Sequence, residues 1–181
     1  YDSLMVKPSI SGPLLALLLI GCSSQEMSQE ERKADAFADA GREAIQRKDY
    51  TAALRHLLEA NKLNPDDLSI MNNIGVTYAA KNEFAKAEEF WRKILKKNPK
   101  FQDARLNLGV LYFNAKHYAE AEKILKEITK DLTYPKLDQV AMKLAQIYEI
   151  QKRHDLVEDQ LKSATKENPG NCTAWYQLGS V

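Results

Sequence analysis

The sequence predicts an all-α solenoid of stacked helix pairs, and three periodic series predict it. Gly41, Gly75 and Gly109 recur every 34 residues, Ala145 follows after 36 and Gly179 after another 34. Pro65, Pro99, Pro135 and Pro169 keep the same intervals of 34, 36 and 34. A second small residue recurs at Ala53, Ala87 and Ala121, then Val157, and four positions after each stands Leu57, Trp91, Leu125 or Leu161. Chance spacing in a generic bundle does not give registers that share one 36-residue exception. A period of this length means one supersecondary unit per repeat, too small to bury its apolar faces without copies of itself on both sides.

The unit is clearest in Met71–Pro99, MNNIGVTYAAKNEFAKAEEFWRKILKKNP. Met71, Ile74, Gly75 and Tyr78 fall on one helical stripe, and Phe84, Ala87, Trp91 and Ile94 on the next. Gly75 and Ala87 let the two helices approach closely, because neither carries bulk to hold them apart. Pro99 cannot continue a helix and closes the unit. A 34-residue period with this order of residues is the tetratricopeptide repeat signature. The expected architecture is a tetratricopeptide repeat solenoid of four repeats plus a truncated fifth.

From the N-terminus, Tyr1–Leu4 precede a natural start at Met5, and Lys7 supplies a short positive region. Leu14–Ile20 is apolar but too short to span a bilayer. It runs into Leu19-Ile20-Gly21-Cys22, which resembles a bacterial lipobox. In a lipobox the Cys becomes the first mature residue and carries acyl chains, so Cys22 is the expected lipidation site. An ordinary secretory signal lacks a good A-x-A site here. A core helix is disfavoured by Pro8, Gly12 and Pro13 in front and Ser23-Ser24 behind. The organisation is then a lipoprotein signal peptide over 1–22, a tether over 23–33 and the repeat domain over 34–181. Ser28 and Glu31 have capping-box spacing, so the polar stretch is either tether or the first turn of a helix.

Repeat one, Ala34–Asp67, has a weak first helix through Phe37, Ala40, Gly41 and Ala44, and Asp66 or Asp67 caps the helix that follows. Repeat three, Gln102–Leu137, gains two residues through Asp131-Leu132-Thr133-Tyr134-Pro135. Repeat four spans Asp138–Asn171. Repeat five opens with Trp175, Leu178 and Gly179 and stops at Val181. A solenoid needs a polar capping element, so the chain is expected to be a fragment of a longer protein.

Composition excludes several classes. With 26 Lys and Arg against 25 Asp and Glu, interspersed, there is no basic footprint for nucleic acid. Lys96-Lys97 and Lys126–Lys130 sit near helix ends, where cations favour the dipole. Cys22 and Cys172 make no disulfide framework, and Cys172 reads as an unpaired, semi-buried thiol. His56, His117 and His154 are in no HExxH or i,i+4 pair, so no metal is expected. There is no G-x-S-x-G, P-loop or G-x-G-x-x-G, and Glu88-Glu89 reads as solvated charge. The expectation is no enzyme, no cofactor, no small-molecule substrate and no nucleic acid.

Function then lies on the concave face, where first helices of successive repeats align. The register puts Asn72, Val76 and Ala79 there from repeat two. Repeat three adds Leu106, Val110, Phe113 and Asn114, repeat four Met142, Gln146 and Ile150, and repeat one Arg42 and Ile45. The candidate partner-binding groove is Asn72, Val76, Leu106, Val110, Phe113, Met142 and Gln146. Tetratricopeptide domains that grip carboxy-termini use Lys, Asn and Arg as a clamp, whereas Val76 and Val110 stand where such clamps have Asn. The lining suits an apolar or amphipathic peptide. It equally suits packing between neighbouring first helices, and both roles are compatible.

A lipobox followed closely by these repeats resembles the pilotin family of type IV pilus biogenesis lipoproteins. The elongated boundary Leu132-Thr133-Tyr134-Pro135 is similar to that family's Leu-Tyr-Pro boundary, with Thr133 interposed. The resemblance implies an outer-membrane lipoprotein on the periplasmic side of a Gram-negative envelope. Ser23 after Cys22 agrees with outer-membrane sorting in such lipoproteins. It further implies a protein partner, a secretin subunit, held in a hydrophobic groove of the early repeats, whose localisation and multimerisation the protein assists. The other reading of the same architecture is a periplasmic scaffold for outer-membrane protein assembly or for cell-wall enzymes.

Overall fold

A computed structural model describes residues 27–180, so Cys22 and the expected signal peptide lie outside the described residues. Among the described residues there are nine helices and no strands. They are α1 Gln29–Gln46, α2 Tyr50–Leu63, α3 Leu68–Ala80, α4 Phe84–Lys97, α5 Gln102–Asn114, α6 Tyr118–Ile128, α7 Leu137–Ile150, α8 His154–Glu167 and α9 Cys172–Leu178. Helices pair as α1 with α2, α3 with α4, α5 with α6 and α7 with α8, and α9 opens a fifth unit against α8. The odd-numbered helices α1, α3, α5 and α7 also touch in sequence, which aligns them as one face.

The small-residue register sets the closeness of each pair. A Cβ built on Gly75 falls 2.6 Å from Trp91 Nε1, and one on Gly109 falls 2.7 Å from Leu125 Cδ2. The large residue of each second helix therefore lies in the space a side chain would need. Ala53, Ala87 and Ala121 are fully buried on the opposite side of the same contact. Between units, Met71, Trp91 and Ile94 join Ala104 and Leu108 of the next repeat in one cluster. Leu106, Leu125 and Ile128 join Leu144, Tyr148 and Leu161 in another. The core is thus a chain of clusters along the solenoid rather than one centre.

The turn inside each repeat is a backbone device. Lys48, Asn82, Lys116 and Lys152 have φ of 61°, 62°, 63° and 59°. The next residue's N–H reaches five residues back at 2.9 Å in every case, from Asp49 to Ala44, Glu83 to Tyr78, His117 to Tyr112 and Arg153 to Tyr148. This is the Schellman arrangement, which satisfies carbonyls left open at a helix end. After the same turn α2 is capped by the Asp49 side chain, whereas α4, α6 and α8 start without a side-chain cap. The turn also carries Phe84 to the rim of its unit. Expected on the packed stripe with Ala87 and Trp91, Phe84 is 48% exposed.

Between repeats, side chains cap α3 and α9 but not α5 or α7. Asp67 accepts from the N–H groups of Ser69 and Ile70, while Asp66 takes Lys97 from the following repeat. Asn171 accepts from Ala174 N–H. Ser28 and Glu31 form the full capping box, so α1 opens inside the stretch that reads as tether. Cys172, expected to be semi-buried, is exposed at the start of α9. The first turn there is too short to cover it, and Ala174 takes the buried position.

The two extra residues of repeat three form a loop that folds back on α5. Tyr134 Oη donates to Asp103 Oδ1 at 2.6 Å and Lys136 Nζ donates to the same oxygen at 2.7 Å. Asp131 accepts from Gln102 Nε2 at 3.1 Å. Burial pushes the Asp103 carboxyl up, but the Lys136 ammonium and the Tyr134 hydroxyl outweigh it and hold Asp103 below its ordinary 3.8. Burial, then Asp103 itself, pushes the Tyr134 phenol up.

Gly109→Val is expected to destabilise by about 1–3 kcal/mol through overpacking against Leu125, read as a lower urea midpoint. Because the folded state holds Asp103 below 3.8, its contribution is present above that pH and is lost as pH falls through the folded value. The difference in thermal midpoint between the parent and Asp103→Asn is therefore expected to narrow as pH drops from 7 to below about 4. A constant difference across that range assigns the loop's anchoring to other groups.

Candidate functional site

The aligned faces of α3, α5 and α7 carry two adjoining hollows. One, of about 400 Å³, is lined by Leu106, Asn107 and Val110 of α5, Gln139, Met142 and Lys143 of α7, and Asn171 and Thr173 at the start of α9. The other, of about 180 Å³, is lined by Val76 and Ala79 of α3, Phe84 and Trp91 of α4, and Asn107, Val110, Leu111 and Asn114 of α5. Asn107 and Val110 belong to both, so the hollows form one open groove crossing three repeats.

The seven residues chosen from the register divide into three groups. Val110, Met142 and Val76 are half-buried and line the groove itself. Leu106 lines it too, but at 7% exposure it is also part of the core between repeats three and four. Asn72, Phe113 and Gln146 support the lining without reaching either hollow. Asn72 Oδ1 accepts from Trp91 Nε1 at 3.1 Å and from Asn107 Nδ2 at 3.0 Å. One amide thus holds the indole over Gly75 and links α3 to α5. Phe113 lies under the Lys143 ammonium, 4.6 Å from its ring centroid, and meets Tyr118 edge-on at 5.7 Å. Gln146 Oε1 accepts from Lys143 Nζ at 3.0 Å.

Register reasoning missed Asn107, Gln139 and Lys143. A usable signal existed: Asn107 stands two residues before Gly109, and Lys143 two before Ala145. That shared place in the repeat aims both into the groove. Burial pushes the Lys143 ammonium down. Of the remaining expected lining, Ala79 and Asn114 border the second hollow, while Ile150 is 48% exposed at the end of α7. Arg42 pairs with Asp39, and Ile45 packs on the cluster of repeats one and two.

The outer edge of the stack is polar and joined between repeats. Tyr112 Oη donates to Glu88 Oε1 at 2.6 Å, and Arg92 Nε donates to the same oxygen at 2.8 Å. One period on, Tyr148 Oη and Arg153 Nη1 both reach Glu122 Oε1 at 3.3 Å. Tyr112 holds the Glu88 carboxyl below its ordinary value, with Arg92 adding to it. Glu88 therefore latches two repeats together rather than serving as free solvated charge. Among the described residues no group of His, Cys, Asp and Glu is placed to hold a metal ion, and no helix is long and apolar enough to cross a membrane.

Stacked helix pairs with an open, chiefly apolar groove along their first helices define a repeat scaffold that binds other proteins. The chain belongs to the tetratricopeptide repeat family. Family models described as tetratricopeptide repeat match residues 38–100 and 89–133, together more than half of the 181 residues. No match was found among curated protein sequences. Among solved structures, one titled for functional characterisation of PilF from Pseudomonas aeruginosa is similar, with a TM-score of 0.78 at 20% identity, over 84% of this chain and 69% of that one. MamA from Desulfovibrio magneticus RS-1 is similar with a TM-score of 0.68 at 20% identity, over 81% and 82% of the two chains. A tetratricopeptide repeat protein from Parabacteroides merdae gives 0.65 at 18% identity, over 81% and 57%. At these identities the likeness is one of fold.

The burial of Leu106 and the half-exposure of Val110 separate core from groove. Leu106→Asp is expected to cost about 3 kcal/mol or more by burying a charge between repeats. Val110→Asp is expected to leave far-UV circular dichroism intact. Loss of helicity in both variants makes Val110 a core residue.

Proposed function

We propose that this chain is a lipid-anchored adaptor, not an enzyme, that assists outer-membrane localisation and assembly of a type IV pilus secretin. The observation that carries the reading is the groove across α3, α5 and α7, where Val76, Val110 and Met142 lie among the amides of Asn107 and Gln139 and, among the described residues, Lys143 is the one cation rather than part of a Lys and Arg cluster. Such a surface fits an apolar or amphipathic segment of a protein partner. The likeness in fold to PilF of Pseudomonas aeruginosa supports the pilus reading, as does the lipobox ending at Cys22.

The mechanism is tethering. Acyl chains on Cys22 contribute about 0.8 kcal/mol per buried CH₂, enough when several chains are present to hold the protein on a bilayer. Confinement to the periplasmic side of the outer membrane raises the effective concentration of the groove for a secretin subunit arriving there.

Deleting the gene in the native organism tests this directly. Outer-membrane fractions are run on gels that preserve heat-resistant secretin multimers. Multimers are expected to vanish while monomer persists, and Val110→Asp or Cys22→Ser is expected to reproduce the loss in part. Normal multimers in the deletion strain remove the pilus assignment and leave a repeat scaffold serving other envelope proteins.

A further inference from the structure

The groove contains one charge. Among the described residues Lys143 is the sole charged one lining either hollow, and no carboxylate lines them. Several cations elsewhere find carboxylates: Lys97 has Asp66, Lys136 has Asp103 and Arg153 has Glu122, while Arg105, which bonds the Gln102 and Pro99 oxygens, lies outside both hollows. Among the described residues Lys143 has only neutral partners, the Gln146 carbonyl at 3.0 Å and the face of Phe113 at 4.6 Å. An ammonium carries three donors, so donors remain for a ligand. Drawing a cation out of water without a counter-charge costs free energy that an arriving anion recovers.

We propose that the groove takes an apolar segment of a partner protein carrying one internal Asp or Glu. The carboxylate accepts from Lys143 Nζ, and the neighbouring apolar side chains lie over Val110 and Met142. The lining continues on both sides of Lys143, towards Val76 in α3 and Thr173 at α9. The acid therefore sits within the segment and not at its end. This rests on the groove being a partner's seat, as proposed above, and not on that partner being a secretin.

The probe is a displayed library of short random peptides, each held between flanking linkers so that no terminus is free. It is selected on the full chain in detergent and sorted by loss of binding to Val110→Asp. Peptides that depend on the groove are expected to carry Asp or Glu among apolar residues. Lys143→Met, with unchanged circular dichroism, is expected to weaken them by about tenfold or more, and so is changing the acid to its amide. The two losses are expected not to add, because they remove one interaction. Equal binding to the parent and Lys143→Met overturns the proposal, as does a set without acidic residues. Matched peptides that gain affinity only with a free terminal carboxylate overturn it in favour of end recognition. If no peptide distinguishes the parent from Val110→Asp, the groove reading itself fails and takes this inference with it. Loss of secretin multimers on gene deletion is read separately and does not depend on whether the seated segment carries an acid.

Discussion

The constraint on which the structure depends is the missing side chain at Gly41, Gly75 and Gly109. Leu57, Trp91 and Leu125 fill the volume a Cβ would occupy, so each helix pair closes to a spacing that larger residues forbid. Glycine in a helix interior costs about 0.5–1 kcal/mol relative to alanine. Burial of the large residue opposite, worth about 1.5–3 kcal/mol, offsets that cost. Repeat four carries alanine at this place, Ala145, which is nearly buried in one cluster with Val157 and Leu161.

That spacing fixes the groove. With each pair closed, first helices can touch their counterparts in adjacent repeats, and their outward residues form one continuous surface. Trp91 shows the coupling: its ring packs over Gly75, its Nε1 donates to Asn72, and its edge borders the second hollow. Core packing and groove shape are therefore not separable at this position. The Glu88–Tyr112 and Glu122–Tyr148 contacts hold successive repeats at a set angle on the far side. Their modest exposure makes them more persistent than the surface ion pairs of α2 and α8, which are open to screening.

The longer boundary after repeat three is where regular stacking needs an extra connection. α6 is the shortest of the four second helices, and the chain saved there crosses to α7 through a loop anchored on Asp103. The anchoring is polar, like the Asn72–Asn107 and Glu88–Tyr112 links between earlier repeats. It lets the insertion be absorbed without displacing α7, and so the groove runs on from α5 to α7 unbroken.

Much was determined by sequence alone. The period, the helix pairs, the buried small residues and the capping box at Ser28 follow from local chemistry repeated at a fixed interval. The choice of α5 and α7 as a shared face followed from the same register. Other features required the tertiary structure. The turns at Lys48, Lys116 and Lys152 carry neither glycine nor asparagine, so their left-handed conformation is imposed by the helices they join rather than by residue type. Whether a first-helix residue is floor or surface depends on its neighbour one repeat away: Leu106 is covered by α7, while Val110, one turn on, stays half-open. The uncompensated charge of Lys143 arises because, among the described residues, no carboxylate from an adjoining helix reaches it. A sequence register names the residues on a face, but only packing decides which of them are left for a partner.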